Sequence, residues 1–184
     1  MKRFFALCGG GLLAVLLLAV AVRAEEIKNQ YYTLDLPPGW KVNNKSVHYG
    51  TVSREKERGL DDVKKWTVTV VLGVADSSRQ NGVSIVVSTL PEITSAKEIC
   101  TMNCHVLDMS GYEVGEPVAV GESYMVEFSQ GEEHGVLYAT TTGKLASTVS
   151  FTGDGGKELL QKRFKPVDPK LFPASYEGVL IQPH

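Results

Sequence analysis

Apolar and polar residues alternate along much of this chain, and a period of two marks a half-buried strand. Tyr32, Leu34 and Leu36 take one side of the first run, and Tyr31, Thr33 and Asp35 take the other. Pro37-Pro38-Gly39-Trp40 ends it, because proline fixes φ and has no amide to donate. A weaker strand is expected around Val47–Ser53. The clearest strand runs from Trp66 to Ala75, with Trp66, Val68, Val70, Leu72 and Val74 on one face and many β-branched residues. Asp76–Gly82 is rich in turn formers. Val83, Ile85 and Val87 then restart the alternation until Pro91 stops it. Arg54–Lys65 holds nine charges in twelve residues and reads as a solvated loop or short surface helix.

The period changes after Ser95. Ser95-Ala-Lys-Glu98 has the form of a capping box. Ile99, Met102, Val106 and Met109 follow at spacings of 3, 4 and 3, a helical stripe. Gly111 ends this helix. Three strands are expected next, Val118–Ser129, Val136–Thr142 and Leu145–Phe151, joined by turns at Gln130–Gly135 and Gly143-Lys144. Thr152-Gly-Asp-Gly-Gly156 leads into a second short helix with Leu159, Leu160 and Phe164 apolar. Hairpin-length turns imply antiparallel pairing, so the fold class is α+β: an antiparallel sheet of about six strands with helices packed on its faces. One domain is expected over 25–164. Residues 165–184 carry Pro166, Pro169, Pro173 and Pro183 and are expected to form an extended surface tail.

The N-terminus reads differently from the rest. Lys2 and Arg3 precede an uncharged run from Phe4 to Val22, and Val22-Arg23-Ala24 places small residues where a signal peptidase cuts. Residues 1–24 are expected to be a signal peptide cut after Ala24, and an uncleaved anchor is the other reading of the same run. Cys8 precedes the dense apolar part of this run, Leu12–Val22, and so does not suit lipid attachment. Removing 1–24 leaves 16 basic against 21 acidic residues, a mildly acidic periplasmic or secreted protein with no further apolar run long enough to span a membrane. The formal charge of the whole chain is −2, which offers no footprint for nucleic acid.

Two segments carry a family likeness. They are YYTLDLPPGWKV, Tyr31 to Val42, and LYATTTGKLASTVSFTGDGGKELLQKRF, Leu137 to Phe164. With these segments the chain resembles the PsbP-like superfamily, DcrB-like proteins included. The resemblance implies a small antiparallel α+β domain. Members of that superfamily mostly bind or support protein complexes and share no active site, so the resemblance speaks to fold more than to task.

The densest chemistry lies in Glu98-Ile-Cys-Thr-Met-Asn-Cys-His105. Cys100 and Cys104 are the only cysteines after residue 24, and in an oxidising compartment the plain expectation is a disulfide between them. An unbroken helix separates i and i+4 Cβ atoms by roughly 5–6 Å, more than the roughly 3.5–4.5 Å a disulfide wants. A bridge would therefore need a distorted helix or carry strain, and a strained bridge exchanges thiols readily. Cys100, Cys104 and His105, with Met102, are also the chain's candidate ligands for a soft metal such as Cu(I) or zinc. Helical spacing spreads them round the axis, against that reading. C-x-x-x-C-H is one residue longer than the haem attachment signature.

Other motifs are weaker. Gly153-Asp-Gly-Gly-Lys157 lacks the spacing of a phosphate loop and reads as a turn before a helix, with Asp154 as a cap. Glu132-Glu133-His134 sits in an expected turn. No G-x-S-x-G is present. Tyr31, Tyr32, Trp40, Tyr49 and Trp66 concentrate in the first third and are candidates for a binding surface if they share an exposed face. The expected function is a non-enzymatic binding or assembly module acting on another envelope protein and needing no cofactor. The alternative is a thiol-redox or metal-handling protein using Cys100 and Cys104.

Overall fold

A computed structural model of the chain describes residues 25–52 and 65–177. The expected signal peptide, most of the charged segment Arg54–Lys65 and the last seven residues lie outside that range. Strands β1 (Glu25–Lys28), β2 (Tyr32–Leu36), β3 (Trp40–Val52), β4 (Lys65–Asp76) and β5 (Gly82–Thr89) come first. Helix α1 (Ala96–Met109) follows, then β6 (Glu113–Val114), β7 (Val118–Val120), β8 (Ser123–Gln130), β9 (Glu133–Thr142) and β10 (Leu145–Thr152). Helix α2 (Gly153–Arg163), β11 (Phe164–Pro166) and a 3-10 turn (Pro169–Leu171) complete the described residues.

The α+β class holds, but the sheet is larger than six strands. Eight strands pair in the order β3-β4-β5-β10-β9-β8-β6, with β7 also on β8, and a separate three-stranded sheet has the order β1-β2-β11. All the pairings are antiparallel. Part of the difference lies in the expected strand Val118–Ser129. It is two strands, because Gly121 adopts φ +60 and turns the chain between Val120 and Ser123, which pair with each other.

Strand β9 shows how the large sheet is used on both faces. Val136 and Tyr138 join the main core with Leu72, Val74, Ile85, Val87, Val149 and Phe151. The three-stranded sheet and Leu159 and Leu160 of α2 close over this face. Leu137 and Ala139 point the other way and pack with Val126, Phe128, Ala146 and the α1 residues Ile99 and Cys100. Two-faced burial explains why Gly135–Thr140 is buried without a break.

The tail departs from expectation most. Leu171, Phe172 and Tyr176 are buried in the main core. Phe172 and Tyr176 set their rings against Phe164 at centroid distances of 5.0 and 6.1 Å. The buried Ser147 hydroxyl donates to the Leu171 carbonyl. The prolines shape the path of this segment while the apolar residues between them fill the core. Among the described residues no helix is long and apolar enough to cross a membrane.

Candidate functional site

The first helix carries the residues singled out by sequence. Its start is built as expected: Ser95 Oγ accepts from the Glu98 amide at 3.2 Å, and Glu98 accepts from the Ser95 amide at 2.8 Å. The Ser95 amide, and after it the Ser95 hydroxyl donating at 2.8 Å, hold the Glu98 carboxyl below the usual carboxylate range. Two otherwise unsatisfied amides are thereby paired at the helix start.

The face that α1 buries is not the face its large apolar residues mark. Ala96, Ile99 and Cys100 are buried, with Cys104 and Leu107 packed beside them against β8, β9 and β10. Met102, Val106 and Met109 instead expose 61, 56 and 80% of their surface. The helix is rotated so that Ala and Cys, small and apolar, meet the sheet. Asn103 rides on the same side and donates its side-chain amide to the Ile99 carbonyl at 2.8 Å. Ile93, just before the helix, is also exposed. The apolar stripe read from the sequence faces outward, with only Ile99 buried.

Cys100 and Cys104 are both free thiols in the structure, on the inner face of an unbroken helix. The expected disulfide is not formed here, as the i,i+4 spacing of a regular helix explains. Burial pushes the Cys100 thiol up to about 12, and the adjacent Cys104 sulfur adds to the shift. Cys104 is raised as well, chiefly by burial. A buried, protonated thiol is a poor nucleophile and a poor metal ligand, since both tasks need the thiolate. His105 is exposed on the outer side, away from the buried thiol. Among the described residues no group of three or more His, Cys, Asp or Glu side chains is placed to hold a metal.

The aromatic candidates do not form one surface. Tyr32 is 1% exposed and packs its ring on Phe164 and Phe172, so it belongs to the core and not to a binding face. Alternation on β2 demanded this, because Tyr32 shares a side with Leu34 and Leu36. Tyr31 and Trp40 are half-buried against the same core. Tyr49 is exposed on β3, and the side chain of Trp66 lies outside the described residues.

The glycine cluster is a packing device. Asn81 Oδ1 accepts from the Gly155 amide at 2.9 Å, and Asn81 Nδ2 donates to Asp76 at 2.7 Å. Helix α2 is thus capped from the turn between β4 and β5, where Asp154 had been expected to serve, and its N-cap Thr152 makes no side-chain bond. A Cβ at Gly156 would sit 2.5 Å from the Gly82 carbonyl oxygen, so the helix can approach the sheet only with glycine there. Of the expected turn residues only Glu132 lies in the β8–β9 turn; Glu133 and His134 begin β9, paired with Gln130 and Ser129, and both glutamates are exposed.

A cleft of about 340 Å³ lies between α2 and the tail, bordered by Gln161, Phe164, Pro169, Ser175 and Tyr176. The buried hydroxyls of Tyr176 and Tyr32 have no hydrogen-bond partner among the described residues. Burial raises both phenols, Tyr32 to about 12. The outward stripe on α1 is the feature that sequence reasoning missed, and the signal was present: cysteine and alanine at 96, 100 and 104 mark a second, smaller-residue face at the same spacing. No protein-family model and no curated protein matches this chain.

Proposed function

We propose that this chain is an exported, non-enzymatic binding or assembly module whose partner is another envelope protein. The observation that supports this reading is the row Met102, Val106 and Met109, exposed at i, i+4 and i+7 along α1. Methionine is flexible and polarizable and adapts to varied apolar partners. A contiguous exposed apolar stripe is unfavourable in water unless it is covered when the protein works. Its helix carries Glu98 and Asp108 against a single Lys97, so the fitting partner is an apolar segment with basic flanks. Kinship with the PsbP-like proteins belongs to the same proposal and rests on Tyr31–Val42 and Leu137–Phe164. The thiol-redox or metal-handling alternative has less support, because it needs thiolates where burial favours thiols.

A photoreactive residue placed at Met109 tests the reading in envelope extracts. One saturable protein adduct is expected, lost in Met102→Glu/Val106→Glu while circular dichroism stays unchanged. A folded double variant that forms every adduct of the parent refutes the proposal.

A further inference from the structure

The eight-stranded sheet ends on one side in the short strand β6, two residues long, and on the other in β3, thirteen residues long. Among the described residues β3 pairs with β4 alone. A long free edge presents a row of unpaired amides and carbonyls, which is a template for another strand. The first half of β3 is defended. Lys41 and Lys45 are exposed charges, and the register breaks between Val42 and Asn44. From Ser46 to Gly50 there is no lysine, arginine or carboxylate. Val47 and Tyr49 share one face there and are both exposed, Tyr49 by 75%.

The backbone groups at this edge can be assigned a direction. The Val68 amide donates to Thr89 Oγ1 at 2.6 Å, so the Val68 backbone turns toward β5. Tyr49 is the β3 partner of Val68. In an antiparallel ladder, facing residues either exchange both hydrogen bonds or exchange none. The amide and carbonyl of Tyr49 therefore point outward, and by alternation so do those of Val47. The residues with free backbone groups are the residues with exposed apolar side chains.

We propose that this edge joins a second copy of the chain, β3 against β3, antiparallel about a two-fold axis at His48. That register sets Val47 opposite Tyr49 of the second copy and Tyr49 opposite its Val47. Both pairs use outward backbone groups, and both match a β-branched residue with an aromatic one, a favourable cross-strand combination. Val70 and Val68, the β4 partners of Val47 and Tyr49, continue the same apolar rows inward. Lys45 falls opposite Thr51 and not opposite its own copy. Such self-complementarity is what a two-fold interface requires.

Sedimentation velocity of the full chain at rising micromolar concentration is the test. The expected mass is twice that of one chain, falling to one chain in Val47→Lys/Tyr49→Lys with circular dichroism unchanged. Met102→Glu/Val106→Glu should leave the dimer intact, which separates this edge from the α1 stripe. His48→Cys reads the register: facing residues of a non-hydrogen-bonded pair have Cα atoms about 4.5 Å apart, within disulfide reach. It should cross-link two chains under mild oxidation, whereas Lys41→Cys should not. A one-chain mass throughout overturns the proposal, as does a dimer that survives Val47→Lys/Tyr49→Lys. Equal cross-linking by the two cysteine variants overturns it too, and that comparison stands even if the double lysine variant does not fold.

Discussion

Leu171→Ala tests the most unexpected part of the fold. Leu171 is 1% exposed, within the same core as Phe164, Phe172 and Tyr176. Truncating a buried leucine loses its transfer free energy and leaves a cavity, together about 2–5 kcal/mol. About 3 kcal/mol, inside that range, is the working figure. With a urea slope of about 1–3 kcal/mol per M, the unfolding midpoint should fall by about 1–3 M. The melting temperature should drop by roughly 6–12 °C for a chain of this size. Val167 is the internal control: it lies four residues earlier and is 63% exposed. Val167→Ala should change stability by no more than about 0.5 kcal/mol. The assay is urea unfolding of both variants, followed by tryptophan fluorescence. Leu171→Ala matching Val167→Ala would show that the tail lies outside the core, and the packing described here would be wrong.

Asn81→Ala removes the cap on α2 and the bond to Asp76 together, and should lower stability by about 1–2 kcal/mol, read by the same urea titration. The phenols of Tyr32 and Tyr176 are raised by burial. In the unfolded chain they ionise near pH 10, while the folded protein holds them neutral, so this stabilisation is complete below about pH 10 and is lost as pH rises toward the folded values. Tyrosinate absorbance should show that the Tyr32 and Tyr176 phenols ionise only as the protein unfolds, and titration of all seven tyrosines in one early step would contradict their burial. Alkylation of the native protein at neutral pH should modify Cys104 before Cys100, with both thiols reacting fully after unfolding. Fast modification of both would favour the thiol-redox reading, and modification only after reduction would mean a disulfide and a deformed α1.

Local patterns in the sequence translate directly into structure where one face is buried and the other is wet. Strand β2 and the Ser95–Glu98 box are of that kind, since each depends on neighbours within a few residues. Strand β3 is harder to read, because an edge strand is solvated along one side and its alternation fades after Val42. Helix α1 was legible as a helix but not in its orientation. Hydrophobic periodicity weights Met102, Val106 and Met109 by size, whereas close packing on β8 and β9 selects the smaller Ala96, Cys100 and Cys104. The tail is hard to read for a similar reason. Four prolines suggest a surface path, yet they constrain the backbone only and say nothing of where Leu171, Phe172 and Tyr176 go. The cap on α2 comes from Asn81, 74 residues before the amide it meets, a distance no local pattern spans.

The pairing of β2 with β11 has a consequence in time. It joins Tyr32–Leu34 near the start of the described chain to Phe164–Pro166 near its end. The core beneath them is sealed only once residues far along the chain from β2 have been made. Until those arrive, Leu34, Leu36 and Tyr138 have no lid. A chain with this topology leaves that core open for most of its synthesis, because the contacts that close it are long-range in sequence.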